Sequence, residues 1–137
     1  KPSIQHSLEV LIHEVEDAQY KMERIILDAR SKVRYQGIKD EVDPVAGHVP
    51  GAISQPLSEN LNKDGTFKSS DELRLIYSKI IGDIPTENII SMCGSGITAC
   101  HNLLAMEIAG FSGARLYVGS WSEWITDPTR SIAKIDT

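Results

Sequence analysis

The sequence predicts an α/β protein with a parallel central sheet and helices on both faces. Short apolar runs typical of strands alternate along the chain with segments of helical periodicity, which is the pattern of parallel sheets. The clearest strand-like run, residues 24–28, is continuously apolar rather than alternating, which indicates a strand buried on both sides. The 137 residues, 41% of them hydrophobic, suffice for one domain with its own core.

The first half of the chain predicts three strands, one helix and one long loop. Residues 10–12 form a short apolar run, and residues 15–22 have the spacing of an amphipathic helix. The buried strand 24–28 follows. Glycine and proline are frequent over residues 31–50, which predicts a loop, and residues 52–54 predict another short strand.

A helix with a defined start and stop comes next. Ser69 and Glu72 have the spacing of a capping box, and apolar residues then recur at helical intervals until Gly82 ends the segment. Beyond it, residues 88–92 predict a strand, and a helix is expected from about Ile97 to Gly110. The last elements are a strand over residues 114–118 and a short helix over residues 121–125.

Cys93 lies where a predicted strand turns through Gly94-Ser95-Gly96 into a helix. A cysteine is usually a small buried hydrophobe, but this context changes that interpretation. The amide groups and positive dipole end of a helix N-terminus stabilise an anion, and glycines allow successive amides to form an anion-binding nest. For a cysteine that anion is the thiolate, so the pattern predicts a reactive nucleophile.

Phosphate chemistry is a weaker interpretation of the same loop. A nucleotide-binding Gly-x-Gly-x-x-Gly motif requires glycine at position 99, which is Ala99 here. A cysteine phosphatase requires an arginine at the same position to hold the phosphate. Both alternatives are disfavoured by Ala99.

The other candidate side chains are given mainly structural interpretations. Cys100 is expected to pack in the core, His101 to lie in the core or at its boundary, and His48 to hold a turn. Arg30 is expected to pair with Asp28.

Two further side chains keep a possible functional role. Arg34 is the candidate to hold an anionic substrate, because guanidinium groups suit carboxylate and sulfonate oxygens. Packing explains Trp121, with a place in the pocket wall as the alternative.

Composition and charge exclude several classes of partner. The net charge is −5 with no basic block, which disfavours nucleic acid and anionic membrane surfaces. Two cysteines and no Cys/His cluster of ligand spacing argue against a disulfide framework and a metal site. We expect reduced thiols in a cytoplasmic protein, with the mitochondrial matrix as the alternative.

The chain resembles the rhodanese family of sulfurtransferases, in particular the C-terminal catalytic domain of its two-domain members. Four stretches between about Ile25 and Ile125 support the resemblance. They are Asp28-Ala-Arg30 with Arg34-Tyr35-x-Gly37, Gly47-His-Val-Pro-Gly-Ala52, Cys93-Gly-Ser-Gly-Ile-Thr-Ala99 and Gly119-Ser-Trp-Ser-Glu-Trp124.

The resemblance implies a rhodanese-like three-layer fold and a role for each matching residue. Cys93 would be the nucleophile and persulfide carrier, and Ser95 would assist proton handling. Arg34 would hold the anionic end of the donor. The amides of the loop would hold the transferred sulfur, and three residues would support the site. The loop residues are Gly94, Gly96, Ile97 and Thr98; the supporting residues are Asp28, Arg30 and Trp121.

The resemblance also implies substrates and a domain organisation. The donor would be a small anion, thiosulfate or 3-mercaptopyruvate, and the acceptor cyanide, a thiol or thioredoxin, with no cofactor. The neutral Gly94-Ser95 resembles the mercaptopyruvate branch. The acidic residues 40–44 stand where that branch often has a further arginine, which leaves the donor open. Residues 1–9 would be the end of an interdomain linker after a missing N-terminal rhodanese-like domain, and residues 10–137 the catalytic domain. The alternative is a non-catalytic interaction or regulatory module of the same fold.

Overall fold

The computed structural model describes residues 9–18, 24–94 and 98–135. Within them, five parallel strands form one sheet in the order β1-β5-β4-β2-β3. The strands are β1 (Glu9–Val10), β2 (Ile25–Asp28), β3 (Ile53–Ser54), β4 (Ile89–Met92) and β5 (Arg115–Tyr117). The predicted α/β class and parallel sheet are therefore confirmed.

The described part of the chain contains five α-helices and two short 3₁₀ helices, and the last α-helix follows the last strand. The helices are α1 (Ile12–Ala18), α2 (Lys32–Gln36), α3 (Ser70–Ile81), α4 (Ala99–Ala109) and α5 (Ser120–Trp124). The 3₁₀ helices are Leu57–Asn60 and Thr86–Asn88. Of the predicted linker, residues 1–8 lie outside the described residues and Glu9 belongs to β1. Residues 19–22 of the first predicted helix also lie outside them.

Two apolar clusters show that helices cover both faces of the sheet. Alternate strand residues point to opposite faces. Ile26 and Ile90 contact the cluster formed with α1, α2 and α5, whereas Ile25 and Ile89 contact the one formed with α3 and α4. Each such buried side chain contributes about 1.5–3 kcal/mol relative to an exposed one. The strands are thus held between two helical layers, as expected.

The predicted capping box at the start of α3 is confirmed. The Ser69 hydroxyl accepts the Glu72 amide at 3.2 Å, and the Glu72 carboxylate accepts the Ser69 amide at 3.1 Å. Gly82 follows the last helical residue, as predicted. The cap is local in sequence, which is why its pattern is sufficient to locate it.

The prediction of a loop over residues 31–50 was wrong in part, because this stretch contains α2. This helix has five residues and no side-chain cap at Ser31, so its local signals are weak. Its Tyr35 is buried and stacks on the His48 ring with centroids 3.7 Å apart, and Gly37 ends the helix at φ +77°. Tertiary packing therefore stabilises this helix.

The expectation that Cys100 packs in the core was wrong. Cys100 is exposed, and so is Leu104 at 51% of its surface, whereas Asn102, Ala105 and Met106 form the buried side of α4. Apolar residues occur around the whole circumference of this helix, so periodicity does not identify its buried face. The small side chain of Ala105 suits the approach to α3.

Candidate active site

The segments that follow four strands meet at a cavity of about 420 Å³. Residues 29–31 follow β2, residues 56–58 follow β3, residues 93–94 follow β4, and Ser122 lies in α5, which follows β5. Ligands of open parallel sheets bind at this edge, beyond the carboxyl ends of the strands. The cavity is therefore the candidate site.

Cys93 lies at the inner end of this cavity with only 2% of its surface exposed. Its Sγ accepts a hydrogen bond at 3.2 Å from the amide of Ala99, the first residue of α4. The first amides of a helix have no partner within the helix and carry its positive dipole end. The thiol is thus positioned against a group that stabilises negative charge on sulfur.

The backbone of Cys93 is held by the start of α5. Its amide donates to Ser120 Oγ at 3.0 Å, and Ser120 Oγ donates to the Tyr117 carbonyl at 2.8 Å. The Trp121 amide donates to the Cys93 carbonyl at 2.9 Å. These contacts join the ends of β4 and β5 and fix the direction of the thiol.

Ser120 was not among the residues that sequence reasoning selected. It is fully buried and has φ +53°, a left-handed conformation that is uncommon for any residue other than glycine. Such strain persists only where surrounding contacts determine it. The available signal was the position of Gly119-Ser120 directly after the last strand, but the hydrogen bond to Cys93 depends on the fold.

A buried ion pair supports the cavity from below. Arg30 donates from Nη2 and Nε to the Asp28 carboxylate at 2.7 and 3.0 Å, and from Nη2 to the Gly47 carbonyl at 2.7 Å. Its guanidinium also lies 4.6 Å from the ring centroid of Trp121. Trp121 is fully buried and donates from Nε1 to the Val45 carbonyl, so its ring packs beneath the site and does not line the cavity.

Arg34 lines the cavity, but two carboxylates already contact it. Nε donates to Asp40 at 3.2 Å and Nη2 to Asp43 at 2.7 Å. The Arg34 side chain is 21% exposed, that of Asp43 12% and that of Asp40 1%. Burial by itself would raise the pKa of Asp40, but hydrogen bonds from the Asp43 and Val42 amides and the charge of Arg34 outweigh it and lower that pKa.

The two histidines singled out in the sequence have structural partners away from the cavity. His48 is buried, and its Nδ1 lies 2.6 Å from the Tyr35 carbonyl. His101 is half-buried, stacks on Phe67 and contacts Asn60, and burial lowers its pKa. Among the described residues that line the cavity there is no imidazole, so the described lining contains no histidine base.

The remaining predicted loop residues divide into two groups. Gly94 and Thr98 line the cavity beside Cys93. Ser95, Gly96 and Ile97 lie outside the described residues.

The described residues contain neither a metal-binding cluster nor a membrane-spanning helix. Across residues 9–18, 24–94 and 98–135, no group of three or more His, Cys, Asp or Glu side chains is arranged to hold a metal ion. Over the same ranges no helix has the length and apolar composition to cross a bilayer.

Comparison with known families gives one match over most of the chain. Residues 7–127 match the rhodanese-like domain. The match includes every residue placed around the cavity above.

Curated relatives with similar sequences are longer than this chain. The probable 3-mercaptopyruvate sulfurtransferase of Pseudomonas aeruginosa is 48% identical over 111 residues, which are 81% of this chain and 39% of the relative. The thiosulfate sulfurtransferase of Mus musculus is 39% identical, and the 3-mercaptopyruvate sulfurtransferase of the same species 36%. Both alignments cover 72% of this chain and 34% of the relative.

Solved structures share the fold at lower identity. An anaerobic ergothioneine biosynthesis enzyme from Chlorobium limicola, in complex with trimethyl histidine, superposes with a TM-score of 0.83 at 24% identity. The superposition covers 96% of this chain and 33% of that enzyme. At this identity the likeness establishes the shared fold.

Proposed function

This chain belongs to the rhodanese-like family, and we propose from that premise that it is the catalytic domain of a sulfurtransferase. The reaction is transfer of a sulfane sulfur from a small anionic donor to a thiophilic acceptor by way of a persulfide on Cys93. Donors named for the relatives are 3-mercaptopyruvate and thiosulfate. The chain spans about two fifths of the Pseudomonas relative, so the activity of a whole protein is part of the proposal.

The contact between Cys93 Sγ and the Ala99 amide is the observation that carries the proposal. A thiolate is the nucleophile in sulfur transfer, and a positioned helix N-terminus stabilises it. An inert core cysteine has no need of a cavity above it or of such a donor. Cys93 has both.

The mechanism has two displacement steps. The Cys93 thiolate attacks the outer sulfur of thiosulfate, the S–S bond breaks, and sulfite leaves with the electron pair. With 3-mercaptopyruvate, the C–S bond breaks, and the electron pair goes to the enolate of pyruvate, which then takes up a proton. In the second step cyanide, a thiol or thioredoxin attacks the outer persulfide sulfur, and Cys93 leaves as the thiolate.

The remaining roles follow the family pattern. Arg34 would hold the anionic end of the donor, Ser95 would assist proton transfer, and the loop amides would hold the transferred sulfur. Amides suit this task because they present fixed dipoles to a developing charge without reorganisation. The backbone of Gly94 lies beside Arg34, since a Cβ built there would stand 3.1 Å from Arg34 Nη2.

The wider setting is also part of the proposal. The residues before β1 would be the end of a linker from an N-terminal rhodanese-like domain, and the catalytic domain would begin at Glu9, the first residue of β1. Such a domain would close one side of the cavity. A cytoplasmic location is proposed, with the mitochondrial matrix as the alternative, and the persulfide cycle uses only cysteine chemistry.

Steady-state transfer to cyanide, with thiosulfate and 3-mercaptopyruvate as donors, tests the function. Cys93→Ser is expected to abolish turnover, because a hydroxyl forms no persulfide. Cys100→Ser is the matched control, since Cys100 is exposed on the same helix that begins beside Cys93. Equal turnover by wild type and Cys93→Ser would contradict the proposal.

A non-catalytic interaction or regulatory module of the same fold is the second candidate. Mass spectrometry separates the two, because only a sulfurtransferase gains one sulfur atom on Cys93 after exposure to a donor. If no donor adds sulfur to Cys93, the module becomes the preferred function.

A further inference from the structure

A polar residue lies within an otherwise apolar buried strand. All four residues of β4 (Ile89–Met92) are buried, and Ser91 is the one polar residue among the four. In the register of the sheet, Ser91 lies between Leu27 of β2 and Leu116 of β5. Burying a hydroxyl costs free energy unless the hydroxyl is hydrogen-bonded. A serine at this position therefore indicates a contact that an apolar side chain could not make.

The Ser91 hydroxyl contacts the residue that faces the nucleophile. Ser91 Oγ donates to the Ala99 carbonyl at 2.9 Å. Ala99 is fully buried and is the first residue of α4. Its amide donates to Cys93 Sγ at 3.2 Å. Ala99 is thus held through its carbonyl by Ser91, and it contacts the reactive sulfur through its amide.

The start of α4 has no side-chain cap of its own. The residue at the capping position, Thr98, makes no side-chain hydrogen bond to the helix. In many helices a capping side chain accepts one of the first amides and stabilises the first turn. Here the Ser91 hydroxyl holds the first helical residue from the preceding strand. Such a contact matters for the direction of the Ala99 amide, because a hydrogen bond weakens steeply when its groups are misaligned.

We propose that Ser91 is a positioning residue for the nucleophile. Its hydroxyl holds Ala99 so that the Ala99 amide stays directed at Cys93 Sγ and stabilises the thiolate. The contact acts in both displacement steps, because Cys93 attacks as the thiolate in the first and leaves as the thiolate in the second. This inference rests on the proposed sulfurtransferase function and adds to it a residue that does not line the cavity.

Alkylation of Cys93 by iodoacetamide at two pH values tests the role of Ser91. The thiolate is the reactive form. At pH 7 the rate therefore depends on how well the protein stabilises the thiolate, whereas at about pH 10 an ordinary thiol is ionised without such help. All variants carry Cys100→Ser, which leaves Cys93 as the one cysteine of the chain. Mass spectrometry follows the rate, and circular dichroism checks that each variant is folded.

Ser91→Ala is expected to slow alkylation roughly 3–10-fold at pH 7, as partial loss of a hydrogen bond to a charged group implies. At about pH 10 the rate should equal that of the parent protein. Ser91→Thr retains the hydroxyl and should react faster than Ser91→Ala at pH 7. The kcat/KM for 3-mercaptopyruvate at pH 7 should fall in Ser91→Ala by the same factor as the alkylation rate.

Ser54→Ala is the matched control. Ser54 is also a strand serine, in β3, and its hydroxyl is buried. This hydroxyl has no hydrogen-bond partner within the part of the chain that the structure describes. Removing it should leave the alkylation rate at its parent value at both pH values.

The two pH values separate positioning from a general effect on packing. If Ser91→Ala and Ser54→Ala react equally at pH 7, Ser91 is only a core residue and the inference is wrong. An equal loss of rate at both pH values in Ser91→Ala would show reduced access to Cys93, which also overturns it. Alkylation needs no sulfur donor. The expected rates in a protein that gains no sulfur on Cys93 would therefore support the Ser91 contact and contradict the proposed function.

Discussion

The floor and the rim of the cavity use arginine in opposite ways. The floor consists of Asp28, Arg30, Cys93, Ser120 and Trp121, each at most 3% exposed. Arg30 there has a carboxylate, a carbonyl and an aromatic ring as fixed partners. The rim consists of Arg34 and Asp43, which are partly exposed, with Asp40 behind them.

The difference shows that burial decides what each arginine can do. A buried charge must be fully paired, and its partners then hold it in one position. A partly exposed charge gains little stability from its pair and can exchange that partner for a ligand. The floor is therefore expected to govern folding, and the rim to govern binding.

Replacing Arg30 with Met should disrupt the ion pair of the floor and cause the largest loss of unfolding free energy. It leaves the Asp28 carboxylate buried without its cation, which costs about 3–5 kcal/mol of unfolding free energy. Urea unfolding followed by circular dichroism measures this loss of unfolding free energy. The double variant Asp28→Asn/Arg30→Met removes the stranded charge and should recover part of the loss. A double variant no more stable than the single one would contradict the ion-pair account.

Replacing Ser120 with Ala should weaken the floor at the nucleophile. The Cys93 amide then loses its acceptor, and an unpaired buried amide costs about 1–3 kcal/mol. Ser120→Gly should cost less, because glycine adopts φ +53° without strain. Ser122→Ala is the control, since that hydroxyl is exposed and donates to the Gly119 carbonyl. Equal unfolding free energies for Ser120→Ala and Ser122→Ala would rule out this role.

The contribution of Asp40 at the rim to the unfolding free energy is expected to depend on pH. The folded state lowers the pKa of Asp40 below its ordinary value of 3.8, so its ionised form stabilises the fold. That stabilisation is complete above the unfolded pKa and is lost as the pH falls through the folded pKa. The unfolding free energy of wild type should be larger than that of Asp40→Asn by about 1 kcal/mol at pH 7, which is the usual contribution of a partly exposed ion pair. At pH 3 this difference should be smaller. If urea unfolding gives the same difference in unfolding free energy at both pH values, ionised Asp40 does not stabilise the fold.

Replacing Arg34 with Met should have the smallest effect on stability. Asp40 keeps the amides of Val42 and Asp43 as donors, so the unfolding free energy should fall by less than about 1 kcal/mol. The kcat/KM for 3-mercaptopyruvate should instead fall roughly 10–100-fold, as loss of a charge-assisted bond implies. Lys39→Met, which removes an exposed cation, is the control for both readouts. A large loss of stability with unchanged kcat/KM would place Arg34 in the floor.

Features that depend on neighbouring residues were largely predictable from the sequence. The capping box at Ser69 and Glu72 and the continuously apolar strand β2 follow from short patterns and local hydrogen bonding. The position of Cys93 between a strand and a helix follows from the same kind of pattern. The short helix α2 had weak local signals and was missed, because its stability comes from the packing of Tyr35 on His48.

The sequence by itself determined the alternation of strands and helices, hence the parallel sheet, and the order in which Asp28, Cys93 and Gly119 follow its strands. Periodicity and turn chemistry act over a few residues, so they can be recognised without the fold. Only the tertiary structure decided that Cys100 is exposed, that Ser120 holds the Cys93 amide, and that Asp40 and Asp43 share Arg34. These depend on distances between residues from different elements, and burial and charge pairing arise only when those elements pack together.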